Sequence, residues 1–104
     1  MENLISKVAA LLMYQGPNIS EVISKAIKEE QEYEIITENQ CMKLCVTSIL
    51  PYNINTQDIY YYNIDGDLIK QILITNGKEK LVFDKYKEAE QMLNKLENRE
   101  AFVS

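Results

Sequence analysis

The chain has 104 residues, a formal net charge of −5 and a sequence pI of about 4.7. This length predicts a single domain, residues 1–104, and apolar residues at 46% supply a modest core. The acidic balance disfavours nucleic acid and anionic membranes, because phosphate binding needs a concentrated Lys/Arg surface.

Catalytic and metal chemistry find little support in the sequence. The chain contains no histidine, so the usual acid–base residue at neutral pH is missing. Cys41 and Cys45 would lie about 13 Å apart along a strand, at ~3.4 Å per residue, which is too far for a disulfide. A zinc site would need ligands that the chain does not offer. We therefore expect no enzyme activity, no metal site and no cofactor.

The start of the chain bears on its location. No stretch reaches the roughly 18–20 apolar residues of a membrane span. The apolar run Leu4–Met13 is interrupted by Lys7 and lacks the basic residues and cleavage site of a signal peptide. We expect a cytoplasmic protein, and the abundance of Ile, Lys, Asn, Glu and Tyr favours a bacterial source with AT-rich DNA.

The first part of the chain, residues 2–32, predicts a helical hairpin. Apolar residues recur at helical spacing over 2–14, and Gly16-Pro17 ends that helix. Asn18 and Glu21 form a capping box that starts a second helix. The expected buried positions of the two helices are Leu4, Ile5, Val8, Leu11, Leu12, Val22, Ile23, Ala26 and Ile27.

This helix pair resembles the opening of a winged helix, which raises DNA binding as an alternative. A DNA reader would next need a recognition helix that carries basic or amide side chains toward a groove. The residues that follow, 29–34, form the most acidic stretch of the protein and would repel phosphates. We therefore expect no nucleic-acid binding.

Residues 33–83 predict an antiparallel β-meander of four or five strands. Period-two patterns cover 33–37 and 41–50, and Pro51 ends the second strand. Asp65-Gly66 and Asn76-Gly77 predict two-residue hairpin turns of type I′. The predicted pairs are Ile64–Asp67, Asn63–Leu68, Tyr62–Ile69, Tyr61–Lys70 and Ile59–Ile72 across the first turn, and Ile74–Glu79, Ile72–Leu81 and Lys70–Phe83 across the second.

Alternation of side chains along these strands predicts one strongly apolar sheet face. Its members are Ile59, Tyr61, Leu68, Ile72, Ile74, Leu81 and Phe83. A bare three-stranded sheet is marginal in water, so we expect the following helix, residues 84–97, to cover this face. Asp84 is the expected N-cap, and the stripe that would pack on the sheet contains Tyr86, Ala89, Met92, Leu93 and Leu96. The predicted fold is α+β, with the N-terminal helical hairpin, the meander and the C-terminal helix packed on the sheet.

The opposite sheet face carries the one unusual feature, a set of tyrosine rings. Tyr60 and Tyr62, with Ile69 and Leu73, would form an aromatic patch of the kind that is enriched in protein interfaces. Two interpretations remain open at this point. Either the N-terminal helices cover this patch within one molecule, or it is a surface for a second subunit or another protein.

Three functions are consistent with these patterns. The favoured one is a small non-enzymatic protein–protein interaction or regulatory module, self-associating as a homodimer through one sheet face or the N-terminal helices. The second is a small-ligand-binding domain or small enzyme with a pocket between sheet and helices. The third is an acidic inhibitor that occupies a partner's nucleic-acid site, for which the carboxylates of residues 29–38 are the candidates.

Overall fold

The computed structural model describes the backbone of residues 2–103 and the side chains of residues 4–95. This part of the chain contains three α-helices, five strands and a short 3₁₀ turn at Pro51–Asn53. The helices are α1 (Glu2–Met13), α2 (Ile19–Lys28) and α3 (Lys85–Val103). The strands are β1 (Glu32–Glu38), β2 (Cys41–Leu50), β3 (Ile54–Tyr62), β4 (Leu68–Thr75) and β5 (Lys78–Asp84).

The five strands form one antiparallel sheet in the order β1-β2-β3-β4-β5. Each strand pairs with its sequence neighbour, as a meander requires. The predicted α+β class is therefore confirmed, with helices before the meander and one helix after it. No helix in the described part of the chain has the length and apolar character needed to cross a membrane.

The turn between β4 and β5 forms as predicted. Asn76 and Gly77 both have positive φ, 49° and 81°, which a two-residue type I′ turn requires. Ile74 lies opposite Glu79, and Ile72 opposite Leu81. This hairpin register is confirmed over the first part of the two strands.

The turn between β3 and β4 differs from its prediction. Only Gly66 has positive φ, 84°, and its N–H donates to the carbonyl oxygen of Asn63 at 3.0 Å. The Asn63 side chain accepts bonds from the N–H groups of Asp65 and Asp67, at 3.0 and 2.9 Å. The loop therefore contains three residues instead of two, because the Asn63 side chain stabilises a turn that begins one residue earlier.

Two bulges correct the predicted register. Tyr61 faces Lys70 and Ile59 faces Ile72, as predicted, but Tyr62 faces Leu68 because Ile69 is an extra residue in β4. A second irregularity places Phe83 opposite Gln71 rather than Lys70, with Val82 as the extra residue in β5. The predicted pairs Ile64–Asp67, Asn63–Leu68, Tyr62–Ile69 and Lys70–Phe83 are therefore wrong.

The bulges also change which side chains share a face. Opposite residues lie on the same side of a sheet, so Leu68 and Phe83 join Tyr60 and Tyr62 on what we call the Tyr62 face. The opposite side is the Tyr61 face, defined by Lys43, Cys45, Thr47, Gln57, Ile59, Tyr61, Lys70, Ile72, Ile74 and Leu81.

The hydrophobic core lies between α2 and the Tyr62 face. Leu44, Tyr62 and Leu68 are buried on the sheet side, and Ala26 is buried on the helix. The remaining members of this core are Val46 and the partly buried Ile19, Val22, Ile23, Met42, Tyr60 and Phe83. Of the stripe predicted for α2, Val22, Ile23 and Ala26 pack on the sheet side that we expected to be the less apolar one. Ile27 is 60% exposed, so its predicted burial is wrong.

The two N-terminal helices form but do not pack along each other. α1 contacts α3, whereas α2 contacts β1. Asn18 caps α2, since its side chain accepts from the N–H of Glu21 at 2.8 Å. Asp84 likewise caps α3, accepting from the N–H of Lys87 at 3.0 Å. Both predicted caps are confirmed.

The C-terminal helix contacts β4, so its packing on the sheet is confirmed, but its main partner is α1. Tyr86 and Leu93 of the predicted stripe are 56% and 44% exposed, so their predicted burial against the sheet is wrong. Val8 of α1, together with Lys85 and Ala89 of α3, are the buried residues of these two helices among the described side chains. The helix extends to Val103, beyond the predicted end at 97, while the side chain of Leu96 lies outside the described residues.

Candidate interaction surfaces

Tyr62 is a core residue rather than a surface residue. Its side chain has no exposed area, and its phenol donates a 2.9 Å hydrogen bond to the backbone carbonyl oxygen of Pro17. Burial, with smaller contributions from Tyr60 and Glu21, raises the pKa of Tyr62 to about 12. The phenol is therefore neutral at physiological pH and serves as a donor that ties β3 to the α1–α2 connection.

The other residues of the predicted tyrosine surface are partly covered. Tyr60 packs at the margin of the core, and its pKa is raised by burial and by the nearby carboxylate of Asp58. Leu73 lies opposite Asp58 and is half-buried, and Ile69 occupies the bulge of β4. Because Tyr62 is buried within the molecule, these four residues do not form one exposed patch. The sequence left open whether the N-terminal helices cover these residues within one molecule or whether a partner does. At Tyr62 the structure favours covering by the N-terminal helices.

The Tyr61 face is built around a row of three side chains from adjacent strands. Lys43, Tyr61 and Lys70 lie opposite one another on β2, β3 and β4. Each lysine Nζ lies 5.7 Å from the centroid of the Tyr61 ring, which is within cation–π distance. Two ammonium groups therefore lie near one ring, and the next row of side chains on this face contains the apolar pair Ile59 and Ile72.

Two clefts open on the Tyr61 face. One, of about 500 Å³, is lined by Thr47, Ile49, Asn55, Gln57, Ile74, Asn76 and Gly77. The other, of about 310 Å³, is lined by Lys70, Ile72, Glu79, Leu81, Asp84 and Lys87, the last from α3. We predicted that α3 would cover this face. It does not cover the face at these positions, because its main contacts are with α1.

The α1–α3 pair leaves large apolar side chains in solvent. On α1, Ile5 is 55%, Leu12 45% and Met13 79% exposed. On α3, Tyr86 and Leu93 are also largely exposed. A helix that is apolar around most of its circumference is normally covered on more than one side. We call these five side chains the α1–α3 surface.

A third surface is the outer edge of the sheet at β1, which we call the β1 edge. Glu32, Glu34 and Glu38 of this strand share the Tyr61 side of the sheet, and Tyr33 and Ile35 share the other. Tyr33 and Ile35 are 42% and 45% exposed, so these side chains stay half-exposed although α2 contacts β1.

Next to the start of β1 lies a cleft of about 350 Å³, which we call the acidic cleft. It is lined by Glu29, Glu30, Gln31, Glu32, Thr47, Ser48, Ile49 and Leu50. The side-chain amide of Gln31 donates a 2.8 Å hydrogen bond to the hydroxyl of Ser48, which joins the two segments that line this cleft. Glu30 has positive φ, 56°, where the chain leaves α2. Three glutamates of the acidic run, Glu29, Glu30 and Glu32, therefore line one cleft.

No protein-family model matches this sequence, and comparison with curated proteins and with solved structures finds no match. The three surfaces must therefore be interpreted from their own chemistry. Within the described residues, no group of three Cys, Asp or Glu side chains is arranged to hold a metal ion.

Sequence reasoning placed the acidic run correctly but missed the α1–α3 surface. The spacing of Ile5, Val8 and Leu12 indicated an amphipathic helix, yet it contained no information on which partner would cover it. The signal that could have raised the question is the composition of α1, whose run Leu4–Met13 contains one charged residue, Lys7.

Proposed function

We propose that this protein is a non-enzymatic protein–protein interaction or regulatory module that self-associates as a homodimer through the α1–α3 surface. The observation that supports this most is the exposure of five large apolar side chains on one pair of helices, Ile5, Leu12, Met13, Tyr86 and Leu93. Apolar patches of this kind on a folded chain mark protein–protein interaction sites.

The chemistry of the α1–α3 surface suits self-association. Ile5, Leu12 and Met13 of one chain would pack against Tyr86 and Leu93 of a second chain around a two-fold axis. Four helices, two from each chain, would then share an apolar interior as in a helical bundle. Transfer of these side chains out of water favours the dimer at about 25 cal/mol per Å² of apolar area.

Light scattering coupled to size-exclusion chromatography tests this proposal. We expect about twice 12.1 kDa for the native chain. Ile5→Glu should shift the mass to that of the monomer, because the charge would be buried in the dimer but is exposed in the single chain. The matched control is Ile64→Glu, since Ile64 is 66% exposed in the β3–β4 loop and is not part of the α1–α3 surface. A native chain that stays monomeric at high concentration, or equal behaviour of the two variants, would contradict the proposal.

The proposal includes a cytoplasmic location. Both cysteines are free, and the thiol of Cys41 is exposed. An exposed unpaired thiol is stable in a reducing compartment and prone to oxidation outside it.

A second candidate function, the acidic inhibitor, rests on the acidic cleft and the β1 edge. Glu29, Glu30 and Glu32 line one cleft, and Glu34 continues the row of carboxylates along the strand. Such a row carries negative charges at intervals along an extended backbone, as the phosphates of a nucleic-acid strand do. Competition with a fluorescent oligonucleotide on a partner found by affinity capture would test this candidate, and unchanged oligonucleotide binding would contradict it.

A further inference from the structure

The backbone of β1 has donors and acceptors that point away from the sheet. Asn39 and Gln40 both have positive φ, so the β1–β2 turn is a two-residue type I′ turn closed by the hydrogen-bonded pair Glu38–Cys41. Bonded and non-bonded pairs alternate along an antiparallel ladder. The residues in non-bonded pairs are therefore Tyr33, Ile35 and Thr37, and their N–H and C=O groups face outward.

The side chains along this edge alternate in chemistry as well as in direction. Glu32, Glu34 and Glu38 lie on one side of the strand together with Ile36, and the half-exposed Tyr33 and Ile35 lie on the other together with Thr37. A strand added at this edge would place its own side chains next to these, alternately on the two sides. Basic residues would meet the glutamates, and apolar residues would meet Tyr33 and Ile35.

The acidic cleft extends this complementarity at one end of the strand. Its volume of about 350 Å³ and its three glutamates suit the long cationic side chain of a lysine or arginine. The cleft adjoins Glu32, the first residue of β1, so one segment could occupy both the edge and the cleft.

A second copy of this chain is a poor occupant of the β1 edge. An antiparallel β1–β1 pair centred on Ile35 places Glu32 opposite Glu38 of the second copy. A shift of two residues in either direction places Glu34 opposite either Glu34 or Glu38 of the second copy. Like charges directly opposite one another destabilise a strand pair, so the edge disfavours its own copy and favours a basic partner.

The other edge of the sheet offers no comparable site. β5 carries charges of both signs at Lys78, Glu79 and Lys80. Its second half is interrupted by the bulge at Val82 and is flanked by residues of α3. Charges, bulges and flanking elements are the devices by which edge strands avoid pairing. On β1 the charges are all acidic and the ladder is regular, which makes pairing selective instead of blocking it.

We propose that the β1 edge binds an extended segment of a partner protein in which basic and apolar residues alternate, and that this segment adds to the sheet as a sixth strand. Main-chain hydrogen bonds to Tyr33, Ile35 and Thr37 provide the ladder, and the row of glutamates selects the basic residues. This goes beyond the dimer proposal, because it uses a different surface and a different partner.

The test uses a fluorescein-labelled peptide, Lys-Val-Lys-Val-Lys-Val-Lys, and fluorescence anisotropy with the full chain. We expect a dissociation constant below about 1 mM. Ile35→Pro should weaken binding at least about tenfold, because proline removes an outward N–H yet is tolerated at this position of an edge strand. Glu34→Lys should weaken it to a similar extent by reversing the charge. The matched control, Glu79→Lys on β5, should bind like the native chain.

A measurement on the native chain covers the case in which Ile35→Pro fails to fold. In the free protein the amide protons of Tyr33, Ile35 and Thr37 should exchange rapidly with solvent, and peptide binding should protect them. Ile36, whose N–H points toward β2, should be protected in both states.

Three results would overturn the proposal. One is native affinity in Ile35→Pro, which would mean that charge alone attracts the peptide. Another is equal binding of Lys-Gly-Lys-Gly-Lys-Gly-Lys, which has the same charge without the apolar side chains. The third is unchanged exchange at Tyr33, Ile35 and Thr37 in the saturated complex. The monomeric Ile5→Glu variant should still bind the peptide, because Ile5 lies outside the β1 edge. Peptide binding by this variant therefore tests the β1 proposal independently of the dimer proposal.

Discussion

The ammonium group of Lys85 donates a 2.8 Å hydrogen bond to the backbone carbonyl oxygen of Tyr14. Lys85 begins α3, and Tyr14 follows the last residue of α1, so this bond joins the start of one helix to the end of the other. The side chain is only 3% exposed. A cation at a helix C-terminus also interacts favourably with the helix dipole.

Lys85→Met should therefore lower the free energy of unfolding. Methionine retains much of the apolar stem but leaves the carbonyl oxygen without its charged donor, a loss of about 1–3 kcal/mol. Urea denaturation followed by circular dichroism measures this change. The control is Lys80→Met, since Lys80 is exposed on β5. Equal stability of the two variants would mean that the Lys85–Tyr14 bond contributes nothing.

Tyr62→Phe should destabilise the fold by about 1 kcal/mol through loss of the hydrogen bond to Pro17. The effect should also depend on pH. The folded pKa of Tyr62 is raised from 10.0 to about 12, so the neutral phenol stabilises the fold fully below pH 10 and this contribution is lost as the pH rises toward 12. Unfolding free energies over that range should fall more steeply for the native chain than for Tyr62→Phe. Equal slopes for the native chain and for Tyr62→Phe would contradict this prediction.

Gly16→Ala should destabilise the protein by about 1–3 kcal/mol. Gly16 has φ +70°, and a Cβ at this position would lie 2.7 Å from the Cβ of Leu68, a buried core residue. Gly66→Ala separates the two causes, because Gly66 has φ +84° but nothing within 4 Å of an added Cβ. If the two variants lose equal stability in thermal unfolding, then contact with Leu68 is not the cause.

Glu30→Gly should stabilise the isolated chain by about 1 kcal/mol. Glu30 has φ 56°, a conformation that costs residues with a Cβ roughly 1–2 kcal/mol and that glycine adopts readily. Glu29→Gly is the contrasting variant, because Glu29 has φ −90° and glycine adds only flexibility there. Thermal unfolding should rank Glu30→Gly above the native chain and Glu29→Gly below it. A lower melting temperature for Glu30→Gly would show that its carboxylate contributes to folding.

Local signals predicted the elements of this fold well. Asn18 and Asp84 are helix caps, because a side-chain oxygen next to an apolar helical pattern has the same N–H partner in most folds. The turn at Asn76-Gly77 also forms as expected, because asparagine and glycine readily adopt the left-handed dihedral angles that this turn requires.

The interaction surfaces were predicted less well. The acidic run could be read directly from its composition. Exposure of Tyr33 and Ile35 could not, because it depends on where α2 crosses the sheet. The predicted tyrosine surface failed at Tyr62, because the α1–α2 connection provides the carbonyl oxygen of Pro17 as a partner for the phenol.

The order of helices and strands, the antiparallel meander and the helix caps were determined by the sequence, because each depends on interactions between near neighbours in the chain. The distribution of side chains between the sheet faces was decided only by the tertiary structure. One extra residue at Ile69 and another at Val82 move Leu68 and Phe83 to the side of Tyr62, where α2 and Tyr14 cover them. A shift of one residue moves every following side chain to the other face, and a strand pattern of period two does not show where the extra residue is inserted.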